Sequence, residues 1–78
     1  MSKEYTYSVI LEPEPEGGFT VLVPALPEVV TCGDTEPEAL AMAKEAIELA
    51  LEVRKEKGEE IPEGTTPKLC NVKVAMAV

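Results

Sequence analysis

The sequence predicts an α+β protein with a two-layer β-β-β-α-β arrangement: a mostly antiparallel four-stranded sheet with one long helix on one face. Three observations predict it. Short stretches rich in β-formers alternate apolar and polar residues with a period of two. The run from Glu36 to Lys57 contains no breaker after its first turn and has apolar residues three and four apart. Clusters of Pro and Gly separate these stretches.

Residues 4–12 form the first predicted strand, with Tyr5, Tyr7, Val9 and Leu11 on one face and Thr6, Ser8, Ile10 and Glu12 on the other. Pro13-Glu14-Pro15-Glu16-Gly17-Gly18 stops it and supplies a turn. Residues 19–23 form the second strand, giving a hairpin. Pro24-Ala25-Leu26-Pro27 forces non-helical backbone, and residues 29–32 form a short third strand. Thr35 and Glu38 then fit a capping box, and Pro37 is tolerated in the first turn. The helix is expected over 36–57, with Arg54, Lys55 and Lys57 favouring its C-terminal dipole and Gly58 ending it. A polar loop spans 59–67. Residues 69–76 complete the order as a fourth strand, with Cys70, Val72, Val74 and Met76 on one face. The whole, residues 1–78, reads as one domain.

The helix carries more apolar surface than one sheet uses. Leu40, Ala43, Ile47, Ala50 and Leu51 form one stripe, and Ala39, Met42, Ala46, Leu49 and Val53 form a second beside it. A helix over 36–57 spans about 33 Å, against about 17–20 Å for a typical strand, so its end should overhang. Met42, Ala46, Leu49 and Val53 are therefore candidates for the interface of a homo-oligomer, dimer or higher. The alternative cover for that stripe is the loop 59–67.

Charge narrows the partners. The chain of 78 residues has a formal net charge of −8 and no histidine. Such a surface repels phosphate backbones, so direct nucleic-acid binding by this chain alone is not expected. It attracts a basic protein, or simply keeps a small protein soluble. Residues 1–35 carry six acids against one base, Lys3, whereas 36–57 carry six against four. Glu12, Glu14 and Glu16 are thus the first candidates for partner contact, with the helix acids Glu45, Glu48 and Glu52 second. No apolar run approaches the ~20 residues that cross a bilayer. With no secretion signal and two cysteines, a cytoplasmic chain with reduced thiols is expected.

Chemistry needs a nucleophile with a base, an acid–base pair or a metal cluster. Without histidine the commonest base near neutral pH is missing. Cys32 and Cys70 lack metal-ligand spacing, and Cys70 reads as a buried core thiol. No catalytic residue, metal site or cofactor is expected, and the chain does not read as an enzyme.

The residues nonetheless carry a resemblance. Tyr7 to Glu12, Pro15-Glu16-Gly17-Gly18-Phe19-Thr20-Val21, Val23-Pro24-Ala25-Leu26-Pro27, Thr31, Gly33-Asp34-Thr35, Glu38-Ala39-Leu40 and Ala46-Ile47 succeed one another in an order that resembles the HicB-like antitoxin family. The resemblance covers nearly the whole chain. It implies a partial RNase H-like fold without that fold's acidic metal site. In that fold the helix crosses over to lay the last strand parallel to the first, giving sheet order 3-2-1-4, with a right-handed crossover as the default. It also implies an antitoxin-type protein-binding module that occludes a small basic RNase toxin of the HicA type. The alternative is a stand-alone structural or regulatory homo-oligomer with no toxin partner. Two departures stand out. Where the family commonly has Leu-Pro-Gly-Cys, Leu26-Pro27 is succeeded here by Glu28-Val29. The sequence also ends at Val78 without the DNA-binding segment many members carry, so repressor activity by this chain alone is not expected.

Overall fold

The structure, a computed structural model, describes residues 3–77. Its elements are β1 (Ile10–Pro13), β2 (Phe19–Leu22), β3 (Val30–Gly33) and α1 (Glu36–Glu56). The strands form an antiparallel meander in the order β1-β2-β3. Leu11 pairs with Val21 and Val21 with Thr31, which fixes which side chains face the helix.

Local chemistry explains each join. In the first turn Gly17 N–H donates to Glu14 O (3.0 Å) and Glu14 N–H to Gly18 O (3.0 Å). Gly17 and Gly18 have φ of 105° and 81°, a region that only glycine enters at no steric cost. After β2, Leu26 N–H donates to Val23 O and Val29 N–H to Leu26 O, both at 2.9 Å. These two successive turns tuck Leu26 fully inside. Thr35 caps α1 by accepting from Glu38 N–H (3.2 Å). Gly58 (φ 71°) ends the helix and donates to Lys55 O.

The core has two parts. Val21, Ala39 and Ala43 pack with Val9, Leu11 and Phe19. Val23, Leu26 and Val29 pack with Tyr7, Ala46, Ile47, Ala50 and Leu51. The helix lies very close to the sheet at Gly33, where a β-carbon would sit 2.5 Å from Ala39 N. The packed face of α1 therefore straddles the two predicted stripes. It takes Ala39 and Ala46 from one and Ala43, Ile47, Ala50 and Leu51 from the other.

The expected four-stranded sheet of order 3-2-1-4 is overturned: the sheet has three strands. Residues 69–76 have the alternation of a strand but enter no ladder among the described residues, and Leu69, Val72, Val74 and Met76 are 93, 84, 77 and 84% exposed. Alternation encodes two faces; a strand also needs an edge that receives it. Cys70, expected in the core, is exposed for the same reason. The first strand is also shorter than predicted. Its ladder begins at Ile10 because β2 ends at Leu22, and Pro24, two residues on, has no N–H to extend the ladder. The remaining elements lie within about a residue of their expected bounds.

Candidate functional site

The acids predicted to meet a partner fall into two places. Glu12, Glu14 and Glu16 are all exposed on β1 and the turn after it. Glu12 stands opposite Thr20 in the ladder. Glu14 accepts a hydrogen bond from the Thr20 hydroxyl, which ties its carboxylate to β2. The turn folds against the β3–α1 junction. A β-carbon on Gly18 would lie 2.9 Å from Gly33 O and 3.8 Å from Asp34 Oδ1. Glu14, Glu16, Phe19, Cys32 and Asp34 thereby line one open cleft of about 450 Å³. Asp34 is an acid that sequence reasoning missed. The Gly-Asp-Thr run gave it a turn role, and only the close approach of Gly18 to the junction brings its charge beside Glu14 and Glu16.

Glu45, Glu48 and Glu52 are exposed on α1. At 1.5 Å per residue, Glu52 lies about 24 Å along the axis from Glu36 at the helix start. The helix acids are thus a separate flank. Glu48 lines a different groove, between residues 3–9 and α1, together with Lys44 and Leu40.

The proposed oligomer residues also divide. Met42, Leu49 and Val53 are exposed, Leu49 most of all at 63%. Ala46 is half-buried against the cluster of Val23, Leu26 and Val29. The loop 59–67 starts beside this stripe, where Glu59 lines a cleft with Ala46, Leu49 and Val53. It then runs to the first segment, where Tyr7 Oη donates to Pro62 O (2.6 Å) and Ser8 Oγ to Thr65 O (2.9 Å). Lys3 Nζ reaches Glu63 Oε1 at 3.0 Å, and this contact raises the Lys3 pKa. Burial raises the Tyr7 phenol above its ordinary value.

The departure at Glu28-Val29 has a structural use. Val29 is a core residue. Glu28 takes both Nε (2.6 Å) and Nη2 (2.9 Å) of Arg54, clamping the turn to the helix. The hydrogen bonds from Arg54 lower the Glu28 pKa to about 2. Among the described residues, no group of three or more His, Cys, Asp or Glu side chains is placed to hold a metal ion. No helix among them is long and apolar enough to cross a membrane.

Known proteins agree with the sequence pattern. Residues 7–74 match the family model described as HicB_like antitoxin of bacterial toxin-antitoxin system. The chain is 48% identical over 60 residues to Antitoxin HicB 1 of Photorhabdus laumondii, covering 77% of this chain and 39% of that protein. It is 43% identical over 56 residues to Antitoxin HicB of Escherichia coli, covering 72% and 41%. It is 45% identical over 56 residues to a UPF0150 protein of Thermoplasma acidophilum, covering 72% and 81%. The chain thus spans well under half the length of the two antitoxins.

Proposed function

The chain belongs to the HicB-like antitoxin family of bacterial toxin–antitoxin systems, and on that premise we propose that it neutralises a small basic RNase toxin of the HicA type. Its role in the family is that of a binding module, not an enzyme. The observation that carries the reading is the family match over residues 7–74. The acidic end decides where the contact falls. Glu14, Glu16 and Asp34 share one open cleft next to the exposed Glu12. Opposite charge there speeds encounter and sets specificity more than it adds affinity. The helix acids Glu45, Glu48 and Glu52 form a second, weaker approach surface, because Lys44 and Lys55 are interspersed on the same helix. This reading places the chain in the cytoplasm, beside the toxin.

The test is to look for a short basic protein encoded next to this gene, co-express the two, and then measure binding by calorimetry at low and moderate salt. Tight binding that weakens as salt rises is expected. The double substitution E14K/E16K should slow association by roughly tenfold, the range over which steering acts. No binding at low salt sinks the reading.

A second reading has its own support. Met42, Leu49 and Val53 form an exposed apolar stripe, and the Thermoplasma relative of similar length is named only as a UPF0150 protein. On this reading the chain is a homo-oligomeric structural or regulatory module with no toxin. Expression of the neighbouring protein without harm to the cell would favour it.

A further inference from the structure

Residues 69–76 stand apart from the rest of the molecule. The principal extents are 58 × 25 × 19 Å, and the Cα radius of gyration is 15.4 Å. A compact chain of this length has about 11.5 Å, so the segment projects as an arm. Its apolar face of Cys70, Val72, Val74 and Met76 is left in solvent. An unpaired apolar segment of this kind is a template for pairing with another chain.

A matching receiver lies elsewhere on the same chain. The groove between residues 3–9 and α1, about 660 Å³, is floored by Tyr5, Val9, Leu40, Ile47 and Leu51. Leu40 is 47% exposed there, although it belongs to a stripe otherwise used for packing. Among the described residues, 3–9 enter no strand ladder. Glu4 and Glu48 stand on the groove's rim together with Lys3 and Lys44, Lys3 being paired with Glu63, and Lys73 is the only charged residue in 69–77. Arm and groove therefore match in apolar character, and Lys73 finds Glu4 and Glu48 at the rim. A basic toxin is a poor occupant of this groove, since it would meet as many lysines as acids around a mostly apolar floor.

The chain's own path leads the arm outward. Pro62 and Thr65 are tied to Tyr7 and Ser8, Gly64 lies hard against the Thr6 carbonyl, and Pro67 stiffens the base of the arm. Each copy thus offers one arm and one groove, and reciprocal exchange closes a two-fold dimer. We propose that residues 69–76 exchange between two copies of this chain, each seating its Cys70–Met76 face in the other's groove between residues 3–9 and α1. The exchange is independent of any toxin.

Sedimentation equilibrium of the full chain at micromolar concentration should give the mass of two chains. V74D in the arm and L40E in the groove should each reduce it to the mass of one chain, with the helical circular dichroism unchanged. Position is read separately, with Cys70→Ser as the one conservative change on the seated face. A nitroxide attached through A75C in a C32S/C70S background, on the arm's opposite face, is mixed with nitrogen-15-labelled chain after subunit exchange. Loss of amide signal at Leu40, Ala43 and Ile47 is expected. A monomer at micromolar concentration, a dimer that survives V74D, or signal loss confined to Leu49 and Val53 would each overturn the proposal.

Discussion

Glu28 lies in the turn after Leu26-Pro27, and its carboxylate is clamped by Arg54 through two hydrogen bonds. The folded pKa, about 2, lies below the ordinary 4.5. A depressed carboxyl stabilises the fold above its unfolded pKa and loses that contribution as pH falls through the folded one. The window is therefore about pH 4.5 down to about 2. The Glu28 side chain is 44% exposed, so solvent screening holds the contribution to about 1 kcal/mol or less. Glu28→Gln should lower urea stability by up to that amount at pH 7. The difference from the native chain should close as pH approaches 2, while a constant gap across that range would place the effect outside the ion pair. Gly33 is constrained by space. A β-carbon there would lie 2.5 and 2.6 Å from Ala39 N and Cα, backbone atoms that move only if the helix does. Gly33→Ala should cost about 1–3 kcal/mol, as overpacking does, read as a lower urea midpoint with unchanged slope.

Among the elements, α1 was the most legible, because its signals are local. Thr35, Glu38, Pro37 and Gly58 mark its ends in the sequence, and the structure caps it at those places. Thr35→Ala removes the oxygen that accepts from Glu38 N–H and should cost about 1 kcal/mol. Thr35→Ser should keep most of it. Thermal melts monitored by circular dichroism decide, and equal losses for both would mean the hydroxyl is not the cap. The strands were legible as alternation but not as pairing. Leu11, Val21 and Thr31 fell into one ladder row because short turns fix their register. Residues 69–76 come after a long loop, and nothing local in them specifies an edge. The candidate site was legible to the same degree. Glu14 and Glu16 could be read from their turn, but Asp34 joins them only through the contact of Gly18 with the β3–α1 junction, a meeting of residues far apart in sequence. The helix stripes were likewise visible as two. The sheet takes the seam between them, because only the small side chains Ala39 and Ala43 fit under Gly33 and Val21.

At the scale of the whole molecule, few large side chains are fully buried; Leu26 and Val21 are the largest. A chain this small buries only about 60% of its unfolded surface even when compact, and here the arm's apolar face stays outside. Stability should then be gained through association, and association makes it depend on concentration. If two arms exchange, unfolding releases two chains. A hundredfold dilution below saturation then costs about 2.7 kcal/mol per dimer, about 1.4 per chain. For a domain of this size 1 kcal/mol corresponds to roughly 4–8 °C in Tm, so Tm should fall by roughly 5–10 °C between 100 and 1 μM. V74D should melt lower than the native chain at 100 μM, and its Tm should not move on dilution. A native Tm that is itself independent of concentration would mean that the three-stranded body stands alone, with the small core sufficient for it. The acidic end takes no part in this assembly, since Glu14, Glu16 and Asp34 line a cleft separate from the groove. E14K/E16K should therefore leave the dilution dependence intact while slowing association with a basic partner. The two surfaces can thus be disabled one at a time.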